Sequence, residues 1–65
     1  MLVYLVPIET DDPHRIRGVL AVSGVQNCGN LSARLQAEDA ESAERRVRRA
    51  LDGELVTIKE PIEEG

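Results

Sequence analysis

The segment Leu31–Ala37 constrains the fold most, because its side chains alternate strictly between apolar and polar. Its apolar positions are Leu31, Ala33, Leu35 and Ala37, and Ser32, Arg34 and Gln36 lie between them. A period of two is typical of a strand with one buried face and one exposed face. We therefore predict a strand here.

At Asp39 the period changes to that of a helix. The apolar stripe at helical spacing holds Ala40, Ala43, Val47, Ala50 and Leu51. Asp39 is a good N-cap, because its carboxylate can accept from free backbone N–H groups of the first turn. Gly53 is predicted to end the helix, and Leu55–Glu60 to form the last strand.

The N-terminal half is predicted to be all β. Leu2–Ile8 is almost uniformly apolar, which favours a strand in the middle of a sheet. Pro7 cannot donate to a ladder, so this strand should end or lose a neighbour there. Arg15–Val25 is interpreted as a second strand, between a turn at Glu9–His14 and a hairpin loop at Gln26–Asn30.

These elements predict an α+β fold in the order β-β-β-α-β, with a mixed four-stranded sheet and one helix on one face. The last strand is placed parallel to the first. Residues 1–60 form a single domain, and 61–65 a flexible acidic C-terminal tail. The helix is expected to cover Ile16, Leu20, Val22, Leu31, Leu35, Val56 and Ile58.

Composition limits the remaining choices. A chain of 65 residues without Phe or Trp builds only a thin core. A single cysteine permits no internal disulfide and no cysteine-based zinc site. The chain shows no signal peptide and no apolar run of membrane-spanning length, so we expect a cytoplasmic protein without a cofactor and without membrane contact.

Two charged clusters are candidate binding surfaces. The basic one holds Arg45, Arg46, Arg48 and Arg49, and the acidic one holds Glu9, Asp11 and Asp12. The basic cluster is either a solvated helix face paired with Glu41 and Glu44 or a patch for a nucleic-acid backbone or an acidic protein. The net charge of −4 and the absence of stacking aromatics on this helix disfavour nucleic acid. The acidic cluster either solubilises the chain or engages a basic site on a partner.

No residue pattern predicts catalysis. Cys28 and His14 are the only residues of their types, and nothing in their spacing brings them together as nucleophile and base. Asp11, Asp12 and His14 could form a compact oxygen and nitrogen metal site, but Asp-Asp-Pro is more typical of a turn. We therefore predict that the chain is not an enzyme and holds no metal.

Self-association as a homodimer is a further expectation. With one helix, only one face of the predicted sheet is covered. The other face is expected to expose Val19, Ala21 and Leu55, a patch that a second copy could bury.

The predicted element order resembles the small partial RNase H-fold domains of some antitoxins. The resemblance is one of topology and covers roughly the first fifty residues. It implies a regulatory domain that neutralises a partner enzyme. Our main prediction is a non-catalytic protein-interaction module, such as a phage-type inhibitor that occludes a site on a larger host or defence protein. A nucleic-acid-binding protein using the arginine helix is the other alternative.

Replacing Cys28 by Ser, or His14 by Ala, should leave the biological activity intact, because neither side chain is assigned a chemical role. Both variants would be compared with the wild type in the partner-binding assay described below. Complete loss of activity in either variant, with the circular dichroism spectrum unchanged, would contradict the non-enzymatic interpretation.

Overall fold

The apolar N-terminal strand lies inside an antiparallel sheet in the computed structural model. The structure describes residues 1–29 and 31–64, except for the side chain of Cys28. The elements are β1 (Leu2–Glu9), α1 (Pro13–Val22), β2 (Gln26–Cys28), β3 (Ser32–Ala37), α2 (Ala40–Ala50), β4 (Thr57–Ile58) and β5 (Ile62–Glu63). The strands are ordered β2-β3-β1-β4, and β5 also pairs with β1. Up to β4 the chain follows the β-α-β-β-α-β order of a split βαβ arrangement.

The predicted strand at Arg15–Val25 is wrong, because most of this segment forms α1. The Asp12 carboxylate accepts from the Arg15 backbone N–H at 3.2 Å, and Pro13 occupies the first turn, where its missing N–H costs nothing. Ile16 and Leu20 are four residues apart and both are buried, as one stripe of a helix requires. The acidic turn predicted at Glu9–His14 therefore leads into a helix start.

The end of α1 is also encoded locally. Gly24 has a φ of 78°, and its N–H donates to the Ala21 carbonyl at 3.1 Å. The Val25 N–H donates to the Leu20 carbonyl at 2.9 Å. These two bonds form the Schellman arrangement that commonly closes helices at glycine. Val25 also packs against the core beside Leu20.

The additional helix changes the sheet topology. Every strand pair in the described residues is antiparallel, so the predicted parallel pairing of the last strand with the first is wrong. Gln26–Cys28, predicted as part of a loop, pairs as β2 with β3, while Asn30 lies outside the described residues. The alternating segment forms β3 at Ser32–Ala37, as predicted. The structure therefore does not have the predicted β-β-β-α-β order. The resemblance to antitoxin domains, which depended on that order, no longer holds.

β1 is flanked on one side by β3 and on the other by β4 and β5. Ile8 pairs with Ile58, whereas Leu5 pairs with Ile62, so the outer chain advances four residues while β1 advances three. One extra residue therefore bulges out between β4 and β5. Pro7 lies opposite this break, accepting from the Lys59 N–H at 2.9 Å while lacking an N–H of its own.

The break also shortens the predicted Leu55–Glu60 strand to the Thr57–Ile58 pair. Beyond it, part of the predicted tail at 61–65 is joined to the sheet, because Ile62–Glu63 form β5 and the Glu64 N–H donates to the Val3 carbonyl at 2.7 Å. Gly65 lies outside the described residues. The flexibility of this tail stays a prediction.

The core lies between one face of the sheet and both helices. The sheet contributes Tyr4, Val6, Ile8, Ala33, Leu35 and Ala37, and the helical side contributes Ile16, Leu20, Ala43, Val47 and Leu51. Alanines at the contact allow close approach of α2 to β3. Val22, expected in the core, is 90% exposed because it lies off the buried stripe of α1.

The cap of α2 forms as predicted. The Asp39 carboxylate accepts from the Ser42 backbone N–H at 2.8 Å. Hydrogen bonds from Ser42, and more weakly the charge of Arg45, hold the pKa of Asp39 below its usual value. The helix ends at Ala50, and Gly53 has the predicted left-handed conformation, with a φ of 83°, in the turn that follows.

Truncation of the buried contact between β3 and α2 should destabilise the domain. Leu35→Ala or Val47→Ala is expected to lower the free energy of unfolding by about 2–4 kcal/mol at most, depending on how far the cavity collapses. Val22→Ala is the matched control, since its side chain is 90% exposed. Urea unfolding followed by circular dichroism measures all three, and wild-type stability in both core variants would contradict the packing described.

The Asp39 cap should make stability fall in acid. Since folding lowers the Asp39 pKa, its contribution is complete above the ordinary carboxyl pKa of about 4 and is lost as the pH falls through the lower folded value. Asp39→Asn keeps a good capping oxygen without a titrating group. Urea midpoints measured between about pH 6 and pH 2 should therefore fall less steeply in Asp39→Asn than in the wild type. Urea midpoints that fall equally with pH in both proteins would show that the ionised Asp39 carboxylate does not stabilise the domain.

Candidate protein-binding surfaces

The end of β1 opens into a concave surface, which we call the loop groove. It has a volume of about 920 Å³ and lies between the loop after β1 and the loop after α2. Its lining consists of Ile8, Glu9, Thr10, Asp11, Pro13, Arg17, Leu31, Glu54, Leu55, Val56 and Thr57. Two residues of the predicted acidic cluster, Glu9 and Asp11, therefore lie at this groove, and Asp12 caps α1 beside it.

The two loops that form the loop groove are joined by polar contacts. The Thr10 hydroxyl donates to the Leu55 carbonyl at 3.2 Å and accepts from the Asp12 backbone N–H at 3.2 Å. Arg15 donates to the two Glu54 carboxylate oxygens at 2.8 and 3.3 Å. This two-pronged bond lowers the pKa of Glu54 and raises that of Arg15. The groove wall is therefore braced in a defined position.

Leu55 is the most exposed large apolar side chain of the described residues, at 93%. Its backbone is held by Thr10, while its side chain projects from the groove wall into solvent. Half-buried Leu31 and Val56 line the same groove and pack against the core. The loop groove thus combines apolar side chains with polar and charged ones, among them Glu9 and Asp11.

The basic cluster is largely engaged within the fold. Arg45 pairs with Glu41 at 3.2 Å and Arg48 with Glu44 at 3.6 Å, the spacing expected for a solvated helix face. Arg46 donates to the Gln36 carbonyl at 2.6 Å. Arg49 is exposed near the end of α2.

The contact of Arg46 has a structural consequence. β2 pairs with β3 only from Ser32 to Arg34, so the outer edge of β3 near Gln36 extends beyond β2. Arg46 satisfies a carbonyl on this edge, where an unpaired strand could otherwise join another chain. Of the four arginines, Arg45 and Arg48 are thus paired within α2, and Arg46 joins α2 to β3.

The predicted self-association residues do not share a surface. Val19 and Ala21 lie on α1, where Val19 packs partly against the core and Ala21 is exposed. Leu55 lies in the loop before β4. The sheet-face patch assigned to these three residues was wrong, because two of them are helical.

A different uncovered surface is present, which we call the open sheet face. It is the side of the sheet opposite both helices, and β1 contributes Val3, Leu5 and Pro7, all half-buried. Ile62 of β5 pairs with Leu5 and is 55% exposed. Ile62 belongs to the segment 61–65 that the sequence predicts as a tail.

Two charged pairs lie at the apolar strip of the open sheet face. Arg34 of β3 lies opposite Leu5, and Glu64 follows β5 on the other side of β1. Their side chains form an ion pair at 3.0 Å, which therefore crosses β1. Lys59 and Glu9 form a second pair at 2.8 Å near the other end of the strand.

The residues considered for chemistry are not assembled into a recognisable site. His14 is exposed in the first turn of α1, and Cys28 is in β2, opposite Ser32 in the register. Among the described residues, no group of three or more His, Cys, Asp or Glu side chains is arranged to hold a metal ion, so Asp11, Asp12 and His14 do not form one. Within the same residues, no helix is long and apolar enough to cross a membrane.

Comparison with known proteins adds no relative: no protein-family model, no curated protein and no solved structure matches the chain significantly. A fold by itself does not define a function, so the two uncovered surfaces, the loop groove and the open sheet face, are the candidate sites.

Proposed function

We propose that this chain is a small, non-catalytic protein-binding module whose loop groove receives a segment of a larger partner protein. The observation that carries the proposal is the exposed Leu55 side chain on the braced wall of a groove that mixes apolar and polar side chains. Single exposed apolar residues are common on protein surfaces. Here, however, the residue lines the loop groove and its backbone is fixed by Thr10.

The composition of the loop groove indicates the kind of segment it would accept. Leu31, Val56 and Leu55 offer apolar contact, which supplies most of the driving force in protein association. Asp11 favours a basic side chain next to the apolar one, whereas Glu9 is already paired with Lys59. A partner segment with apolar and basic residues matches both features.

The braced wall also lowers the entropic cost of binding. The Thr10–Leu55 hydrogen bond and the Arg15–Glu54 pair hold the two loops before a partner arrives. A preorganised surface loses less conformational entropy on association. Binding would cover the docked site on the partner, so occlusion is the proposed mechanism, as in a phage-type inhibitor of a host or defence protein.

The arginine helix has a different role in this proposal. Arg45 and Arg48 are paired along α2, and Arg46 satisfies the edge of β3. These contacts favour a structural use of the basic cluster over binding to a nucleic-acid backbone, which would draw on unpaired cations.

Leu55→Asp should weaken partner binding by at least about tenfold, because loss of a central apolar contact costs more than about 1 kcal/mol and a buried charge adds to that cost. Val22→Asp is the matched control, since Val22 is 90% exposed and lies at the end of α1 remote from the loop groove. The partner is first captured from an extract of the source cells, and its affinity for each variant is then measured by calorimetric titration.

Two results would contradict the proposed function. Equal affinity of the wild type and Leu55→Asp for the partner would show that the loop groove is not the binding surface. Replacement of Arg45, Arg46, Arg48 and Arg49 by Gln provides the second test, with folding confirmed by circular dichroism. Binding to nucleic acid that falls steeply with salt and is lost in this variant would support the nucleic-acid function instead.

A further inference from the structure

The open sheet face presents apolar surface without a covering layer. Val3, Leu5 and Pro7 follow one another at every second position of β1, so they form a continuous strip along the strand. Ile62 widens this strip beside Leu5 and remains 55% exposed. Both helices pack on the opposite face, where the buried core lies. The helices of the described residues therefore leave this strip uncovered.

The charges on this face indicate which molecule fits. The chain carries a net charge of −4, and most parts of its surface would repel another copy. On the open sheet face two bases, Arg34 and Lys59, are each paired with an acid, Glu64 and Glu9. The charges of these pairs offset one another, so a second copy meets less repulsion there than beside unpaired acids.

The arrangement of the charges is also self-complementary. Arg34 lies on the β3 side of β1, and Glu64 lies on the β5 side. A two-fold axis parallel to β1 would turn a second copy so that its β5 side faces the β3 side of the first. Arg34 of each copy would then lie over Glu64 of the other, and the apolar residues of the two strips would meet around these charges.

From these observations we propose that the open sheet face is the interface of a homodimer, in which two copies pack sheet against sheet around a two-fold axis parallel to β1. The dimer would have four layers, with helices outside and the two sheets in contact. It would also enlarge the small core of this 65-residue chain. The loop groove is not needed for this contact, so the inference is independent of the proposed function.

Sedimentation velocity and light scattering across a hundredfold dilution in the micromolar range provide the first test. The wild type should be a dimer that dissociates on dilution, and Ile62→Asp should be a monomer throughout. Val22→Asp, which places the same charge on α1, and Leu55→Asp, which alters the loop groove, should both remain dimers. A monomeric wild type over the whole range would overturn the proposal and leave the face to a different protein. Dimers of undiminished affinity in Ile62→Asp would equally overturn it.

Charge exchange tests the orientation and does not depend on any one variant's stability. Arg34→Glu places like charges on both sides of β1, and Glu64→Arg does the same with the opposite sign, so each variant alone should be monomeric. An equimolar mixture should form heterodimers, because both facing pairs then carry opposite charges. A mixture that stays monomeric, or single variants that dimerise as well as the wild type, would overturn the two-fold arrangement. Low salt should strengthen the mixed dimer, since the restored contacts are ionic.

Discussion

The pairing of β1 with three other strands is the constraint on which the rest of the molecule depends. β3 joins it along one side, and β4 and β5 join it along the other. Its alternate side chains supply both surfaces of the sheet: Tyr4, Val6 and Ile8 enter the core, while Val3, Leu5 and Pro7 form the open sheet face. A uniformly apolar strand is stable only when both faces are at least partly covered, which explains why β1 lies inside the sheet and why its outer face remains a surface for contact.

The end of β1 determines where the loop groove forms. The chain leaves the sheet at Glu9, and Asp12 immediately caps α1, so a short acidic loop lies beside the turn that follows α2. Thr10 and the Arg15–Glu54 pair then join segments about forty residues apart in sequence. Such exposed ion pairs contribute little to global stability. Their effect here is local, since they fix the loop that carries Leu55. The arginines of α2 also form local contacts. Arg45 pairs with Glu41 within α2, and Arg46 donates to the Gln36 carbonyl of β3.

Sequence patterns were sufficient for β1, β3 and α2, because each has one dominant period and α2 has a strong cap at Asp39. They failed at Arg15–Val25, where apolar residues satisfy both the strand period and the helix period. The N-cap Asp12 and the first-turn Pro13 would have distinguished a helix from a strand, but the same residues are equally typical of a turn. This single error reversed the expected direction of the last strand. For the candidate surfaces, the sequence showed the charged clusters and the apolar Leu55, but it placed Leu55 on a sheet face and not beside the acidic loop. It could not show which charges are engaged, because Arg15–Glu54 and Arg34–Glu64 join residues distant along the chain.

Native-state amide hydrogen exchange measured residue by residue tests the central position of β1 most directly. If β1 organises the fold, its amides that face β3 exchange only when the whole domain unfolds, and their protection equals the free energy of unfolding obtained from urea. The Glu64 amide, bonded to the Val3 carbonyl at the two-residue strand β5, should exchange faster through local opening. Exchange of the β1 amides at rates as fast as that of Glu64, well below global protection, would contradict the account.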